Sequence, residues 1–141
     1  MIVCLHTNTV VQALAERHPF HPILDFWVDG RLTWAVSTEV LLEYEEVLTR
    51  MSGPGRWRKL ARLMDLAELT AGNLLRVTPS FHFHIVTTDP DDNIFTDCAI
   101  TAGADYLITE DRHFLPLTDA GYKPRLITPA EFITTVLARS S

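Results

Sequence analysis

Short apolar runs alternating with amphipathic stretches organise this chain. Residues 1–5 form a nearly continuous apolar run, as expected of a strand buried on both faces of a parallel sheet. The run breaks at His6-Thr7-Asn8, where Asn8 is expected to cap a helix marked by Val10, Val11, Ala13 and Leu14. Residues 23–28 read as a second short helix closed by Gly30, and 31–36 as a strand with Leu32, Trp34 and Val36 in alternation. Ser37 is placed to cap a longer helix, 39–50, whose Val40, Leu41, Tyr44, Val47 and Leu48 share one face. A Ser/Gly/Pro loop is expected over 51–55, a helix over 56–69 and a strand over 74–78. The alternation in 81–86 fits an extended segment. The rest reads as a helix over 90–102, a turn at Gly103, strand 105–109, a short helical or irregular stretch, strand 125–127 and a final helix. Thr128-Pro129-Ala130-Glu131 opens that helix, joining a capping box to proline at the first helical position.

Strand and helix alternate with no repeat, low-complexity tract or linker, so residues 1–141 read as one α/β domain with a mainly parallel sheet. Right-handed crossovers place helices on both faces, and the default site lies beyond the carboxyl ends of the strands. The composition agrees: 141 residues at 47% apolar and 21% charged can fill a core, which excludes a disordered or coiled-coil chain. The net charge of −6, from 12 Lys+Arg against 18 Asp+Glu, argues against coating nucleic acid by charge alone. It leaves room for a nuclease whose carboxylates hold metal ions. Two cysteines make no disulfide framework, and Cys4 reads as a buried thiol. The N-terminus lacks signal-peptide features and no run is long enough to span a membrane. A cytoplasmic protein without a membrane contact is expected.

Strand ends then become the places to search for chemistry. His6, Thr7 and Asn8 follow the first strand, and Glu39, Glu43, Glu45 and Glu46 lie on the helix after the second. Asp89, Asp91, Asp92 and Asp97 open and enter the fifth helix, and Glu110 and Asp111 follow the next strand. Acids from three separate stretches would therefore meet at one edge of the sheet. Mg²⁺ and Mn²⁺ prefer oxygen ligands, and paired ions can activate water for phosphodiester hydrolysis. Taken singly, each group has an ordinary structural role. Asp89-Pro90-Asp91-Asp92 suits a helix N-terminus, Glu43 a solvated rim and Asp111 a turn.

The same residues resemble a known family. Residues 2–9 are similar to the strand and following motif that open the PIN-domain ribonucleases, in particular the bacterial toxin components of toxin–antitoxin pairs (VapC-like). Residues 41–48 resemble that branch's glutamate-bearing helix, and 89–99 its most specific signature. Residues 103–111 match its strand ending in threonine and aspartate, and 126–132 its closing pattern. The resemblance spans essentially the whole chain. It implies a PIN-like three-layer α/β/α fold and a Mg²⁺- or Mn²⁺-dependent endoribonuclease acting on RNA, with a cognate antitoxin and homodimerisation. Glu43, Asp92 and Asp111 fall on three of four acidic positions, and Asp97 on a second acid common in the branch. Asn8 and Thr109 fall on supporting polar positions.

One departure stands out. The first acid of the family is replaced by His6, whose neutral imidazole suits Zn²⁺, Ni²⁺ or Fe²⁺ better than Mg²⁺. Weak Mg²⁺ binding and impaired cleavage are expected, and the alternative is an inactive PIN-like module that binds RNA or protein. Arg56-Trp57-Arg58-Lys59 is the one basic cluster. It offers either a weak RNA contact with Trp57 stacking on a base or a solvated helix face. His82 and His84 suggest surface histidines before a metal pair, and Trp27 and Trp34 are core candidates. A phosphoacceptor receiver domain has a similar size and layout. It would need an acidic pair after the first strand, where this chain has His6-Thr7-Asn8.

Overall fold

β1 (Ile2–Leu5) is hydrogen-bonded on both sides, which is why Val3, Cys4 and Leu5 are almost wholly buried. It pairs in parallel with β2 (Thr33–Val36) and β4 (Tyr106–Ile108). β3 (Leu74–Arg76) and β5 (Arg125–Ile127) extend the sheet to the order β3-β2-β1-β4-β5. The computed structural model describes residues 1–140, and all five strands in it are parallel, within a three-layer α/β/α arrangement. Register fixes the site. Leu5 pairs with Ile108, and the His6 N–H donates to Ile108 O at 3.1 Å. The chain therefore leaves β1 at His6 directly beside the point where it leaves β4 at Thr109.

The helices are α1 (Thr7–Ala13), α2 (His21–Val28), α3 (Thr38–Ser52), α4 (Pro54–Thr70) and α5 (Asn93–Ala102). A 3₁₀ turn, Pro90–Asp92, leads into α5, and a second, Arg112–Asp119, follows β4. The C-terminal helix runs as α6 (Pro129–Glu131), a π-helical stretch Phe132–Leu137 and α7 (Ala138–Ser140). No helix among the described residues is long and apolar enough to cross a membrane.

Several expected boundaries are set by the expected residues. Ser37 Oγ accepts from the Val40 N–H, Thr128 Oγ1 accepts from the Glu131 N–H, and Gly103 closes α5 in the left-handed conformation. Others differ. Asn8 does not cap α1: His6 occupies the cap position without a side-chain bond to the helix, and Asn8 sits exposed in the first turn. The expected loop 51–55 shrinks to Gly53, because its φ of 75° makes the turn and Pro54 can then start α4. Residues 81–86 form no strand, and His84 takes a left-handed φ of 53°.

A tryptophan pair anchors the core. Trp27 of α2 meets Trp34 of β2 edge to face at 5.0 Å, and Tyr44 of α3 lies 5.7 Å beyond. Buried Asn73 locks this region, donating to Trp27 O and Leu32 O while its own carbonyl accepts from Trp27 Nε1.

Candidate metal centre

Because β1 and β4 end side by side, His6 and Thr109 come together at the carboxyl edge of the sheet. His6 Nδ1 lies 2.9 Å from Thr109 Oγ1, which also accepts the Asp111 N–H at 3.0 Å. The imidazole is 5% exposed and wedged between Phe95 and Phe114, each ring 4.9 Å away in an edge-on contact. Its other nitrogen, Nε2, faces Asp92 Oδ1 at 3.3 Å. The Thr109 hydroxyl both donates and accepts, so it can serve either imidazole tautomer. With the proton on Nδ1, Nε2 presents a bare lone pair toward the acids.

Asp92 reaches this point from the 3₁₀ turn that opens α5, and Asp111 from the start of the 3₁₀ segment after β4. One ligand atom from each of His6, Asp92 and Asp111 lies within 4.8 Å of the others. A second set, Asp89, Asp92 and His113, meets the same limit and shares Asp92. Asp111 Oδ1 accepts the His113 N–H at 2.9 Å and lies 3.3 Å from His113 Nδ1, so it braces that imidazole as well.

Glu43, on α3, joins neither set. Its carboxyl is nevertheless raised above the usual range, chiefly by burial, then by the negative charges of Glu46 and Asp92, with Arg50 and His6 opposing. Carboxylates accept hydrogen bonds and donate none when ionised, so this edge gathers acceptors with too few donors to match. One neutral imidazole beside carboxylates is a donor set that fits a divalent cation of the Mn²⁺-to-Zn²⁺ series and departs from the all-oxygen shell Mg²⁺ prefers.

The other expected residues fall in different places. Asp97 is buried on α5, where it accepts the Phe83 N–H at 3.0 Å and faces His82 at 3.3 Å. It anchors the 82–83 segment and lies outside both sets. Asn8 lines a cleft of about 400 Å³ beside Asp111, together with Gln12, Met51 and Glu110. Arg56, Arg58 and Lys59 are exposed on α4, while Trp57 packs its ring partly against the core. Arg56 and Lys59 line a different groove, of about 560 Å³, against Leu24 and Trp27 of α2. None of its lining residues belongs to the metal-ligand sets.

Sequence reasoning placed Asp89 among the edge acids without giving it a ligand role, and missed His113 and the two phenylalanines that clamp His6. The only available signal for His113 was its place two residues after Asp111.

Comparison with known proteins adds a family. The model of the PIN domain matches residues 2–113. No curated protein matches the sequence. In fold the chain is similar to VapBC2 from Rickettsia felis, solved bound to a DNA fragment from their promoter. That match has a TM-score of 0.57 and 17% identity over 91% of this chain and 98% of the other. It is also similar to FitAB, solved bound to the IR36 DNA fragment, with a TM-score of 0.54 and 16% identity over 92% and 95% of the respective chains.

Proposed function

The chain belongs to the PIN-domain family, and from that premise we propose that it is a divalent-metal-dependent endoribonuclease, the toxin component of a type II toxin–antitoxin pair. In this reading Mg²⁺-supported activity is impaired because His6 stands in place of the first acid. The observation that carries the proposal is the convergence of His6, Asp92 and Asp111 from the ends of separate elements. Glu43 lies near enough to feel the charge of Asp92.

Each residue has a distinct task. Asp92 and Asp111 supply the charge that binds the ion, Glu43 adds to it from the α3 side, and His6 contributes a neutral nitrogen. Thr109 positions His6 and Asp111 together. Asp97 acts one step removed, by fixing the segment packed beside α5. A bound Mn²⁺ or Mg²⁺ supplies an activated water and charge neutralisation at the phosphodiester. The exposed cleft next to Asp111, with Asn8 and Gln12 on its wall, is where the RNA strand would approach. The antitoxin partner and homodimer rest on the resemblance to the toxin branch. The likeness in fold to VapBC2 and FitAB, both solved on DNA, supports the antitoxin partner.

His6 also favours a second reading, an inactive PIN-like module binding RNA or protein. One experiment separates the two: RNA cleavage by the wild-type chain and by His6→Asp, assayed with Mg²⁺, Mn²⁺ and Zn²⁺. The nuclease reading expects His6→Asp to raise Mg²⁺-dependent cleavage well above a Glu43→Gln control, and chelation or Asp92→Asn to abolish it. No gain over that control contradicts the role given to His6. No cleavage with any ion by either chain leaves the binding module.

A further inference from the structure

We propose that Phe81, Phe83 and Tyr122 form a stacking platform for the unpaired bases of single-stranded RNA, outside the metal centre. This rests on the ribonuclease reading above and deepens it, by assigning residues that hold the substrate through its bases.

The three rings form a row. Phe81 and Phe83 lie 6.4 Å apart, and Phe83 meets Tyr122 edge to face at 5.2 Å. Phe81 is 71% exposed and Tyr122 43%. An exposed phenylalanine forgoes the gain of burial, so rings gathered at one exposed place mark a surface that is covered in use. The row also joins the two segments that carry the acids. Residues 77–88 run into Asp89 and Asp92, and Tyr122 follows the 3₁₀ segment that starts beyond Asp111.

The segment bearing Phe81 and Phe83 is pinned in place. Val86 N–H donates to Asn93 Oδ1 at 2.8 Å, and Asn93 Nδ2 donates to Val86 O at 2.9 Å. The Phe83 N–H donates to Asp97 Oδ1 at 3.0 Å. Asn93 and Asp97 stand one turn apart on one face of α5, so residues 83–86 lie along that face, beginning next to Asp92. Rings fixed in advance lose little freedom when a ligand lands on them.

Charge selects the ligand. Residues 77–88 contain no Asp, Glu, Lys or Arg, in a chain with 18 acids. Their only ionisable side chains are the exposed imidazoles of His82 and His84, 6.3 Å apart. An imidazole is neutral or positive, so it does not repel a phosphate. The apolar groove lined by Leu24 and Trp27, which suits a protein segment, contains none of these residues. Rings without a groove fit unpaired bases, whose π faces stack on aromatic side chains whatever the sequence. Paired bases are closed to such stacking, so the platform selects single strands.

The test is fluorescence anisotropy of the full chain with a labelled oligoadenylate of about ten nucleotides, with chelator present so that no ion or cleavage intervenes. Phe81→Leu keeps an apolar side chain and removes the ring. It is expected to lose about tenfold in affinity, as is Tyr122→Leu, and Phe81→Trp to bind at least as tightly as wild type. Stacking releases no counterions, so the salt dependence should keep its slope in Phe81→Leu. Its unfolding should be unchanged, because the side chain is exposed. An abasic strand of the same length is expected to bind as weakly to wild type as to Phe81→Leu. Wild-type affinity in either leucine variant overturns the proposal and gives the exposed surface to a protein partner. Equal binding of the abasic strand and oligoadenylate, or no binding of either by wild type, overturns it as well. RNA cleavage is scored separately, with Mn²⁺ added. Ring-dependent binding without cleavage retires the nuclease and keeps the platform, while cleavage with binding indifferent to the rings does the reverse.

Discussion

Two polar regions of this molecule, one buried and one half-exposed, follow opposite logic. Around Asn73, donors meet acceptors: its amide nitrogen bonds two carbonyls, its carbonyl takes the Trp27 indole, and only the side-chain oxygen lacks a partner among the described residues. At the carboxyl edge of the sheet, carboxylates outnumber donors: Asp92, Asp111 and Asp89 converge with only His6 and His113 among them, and Glu43 is pushed up in pKa by burial and by its neighbours' charge. A region in which most buried donors find acceptors holds the fold. A region with unbalanced negative charge destabilises the empty protein and is offset only by a cation.

That contrast can be broken by substitution. The largest effect belongs to the closed region: Trp27→Ala, which empties a fully buried site and removes the indole's bond to the Asn73 backbone carbonyl, is expected to cost roughly 3–5 kcal/mol in denaturant unfolding. Asp92→Asn should leave apo stability equal or higher. It should also abolish the stabilisation by Mn²⁺, which for an intact site reaches about 2.7 kcal/mol at a hundredfold excess over Kd. An Asp92→Asn chain that unfolds as readily as Trp27→Ala would erase the distinction between the two regions.

Smaller shifts sharpen it. The raised carboxyl of Glu43 means that its ionised form opposes folding in the apo protein. This cost is present at neutral pH and fades as pH falls through the raised value. Glu43→Gln is therefore expected to raise the apo melting temperature slightly at pH 7, with the gain vanishing below the ordinary glutamate range. A gain independent of pH would remove charge as its cause. The smallest effect is expected on α4. Replacing Arg56, Arg58 and Lys59 together should leave the salt dependence of RNA binding unchanged, since Arg56 and Lys59 line the α2 groove and not the acidic edge. A slope flattened by about 0.7 per lost contact would move the RNA onto that face.

Much of this was legible in the sequence, for identifiable reasons. Apolar runs announce strands buried on both faces, and Ser37, Thr128 and Gly103 are residues whose capping chemistry is local. The meeting of residues 6 and 111 follows from one topological rule, that parallel strands put their carboxyl ends on one edge; Asp92 joins them from the turn that opens α5, while Glu43, expected among the same ligands, stands on α3 outside both sets. What was not legible depends on shapes that periodicity does not encode. Asp97 was grouped with the edge acids. Five residues of helix turn a side chain by about 140°, however, which carries it round from Asp92 toward Phe83. His113 reaches Asp92 only because a 3₁₀ turn begins at Arg112, and Asp89 only because another begins at Pro90. His6 reads as an interruption of the family's acid. Its clamping by Phe95 and Phe114 requires the packed core.

The most direct measurement is anomalous diffraction at the manganese edge from crystals of the chain grown with Mn²⁺. The expected result is a peak within about 2.0–2.3 Å of a nitrogen of His6 and of carboxylate oxygens of Asp92 and Asp111, absent from Asp92→Asn crystals. At saturating Mn²⁺, no peak at this edge, or one bound without His6, Asp92 and Asp111, would contradict the account.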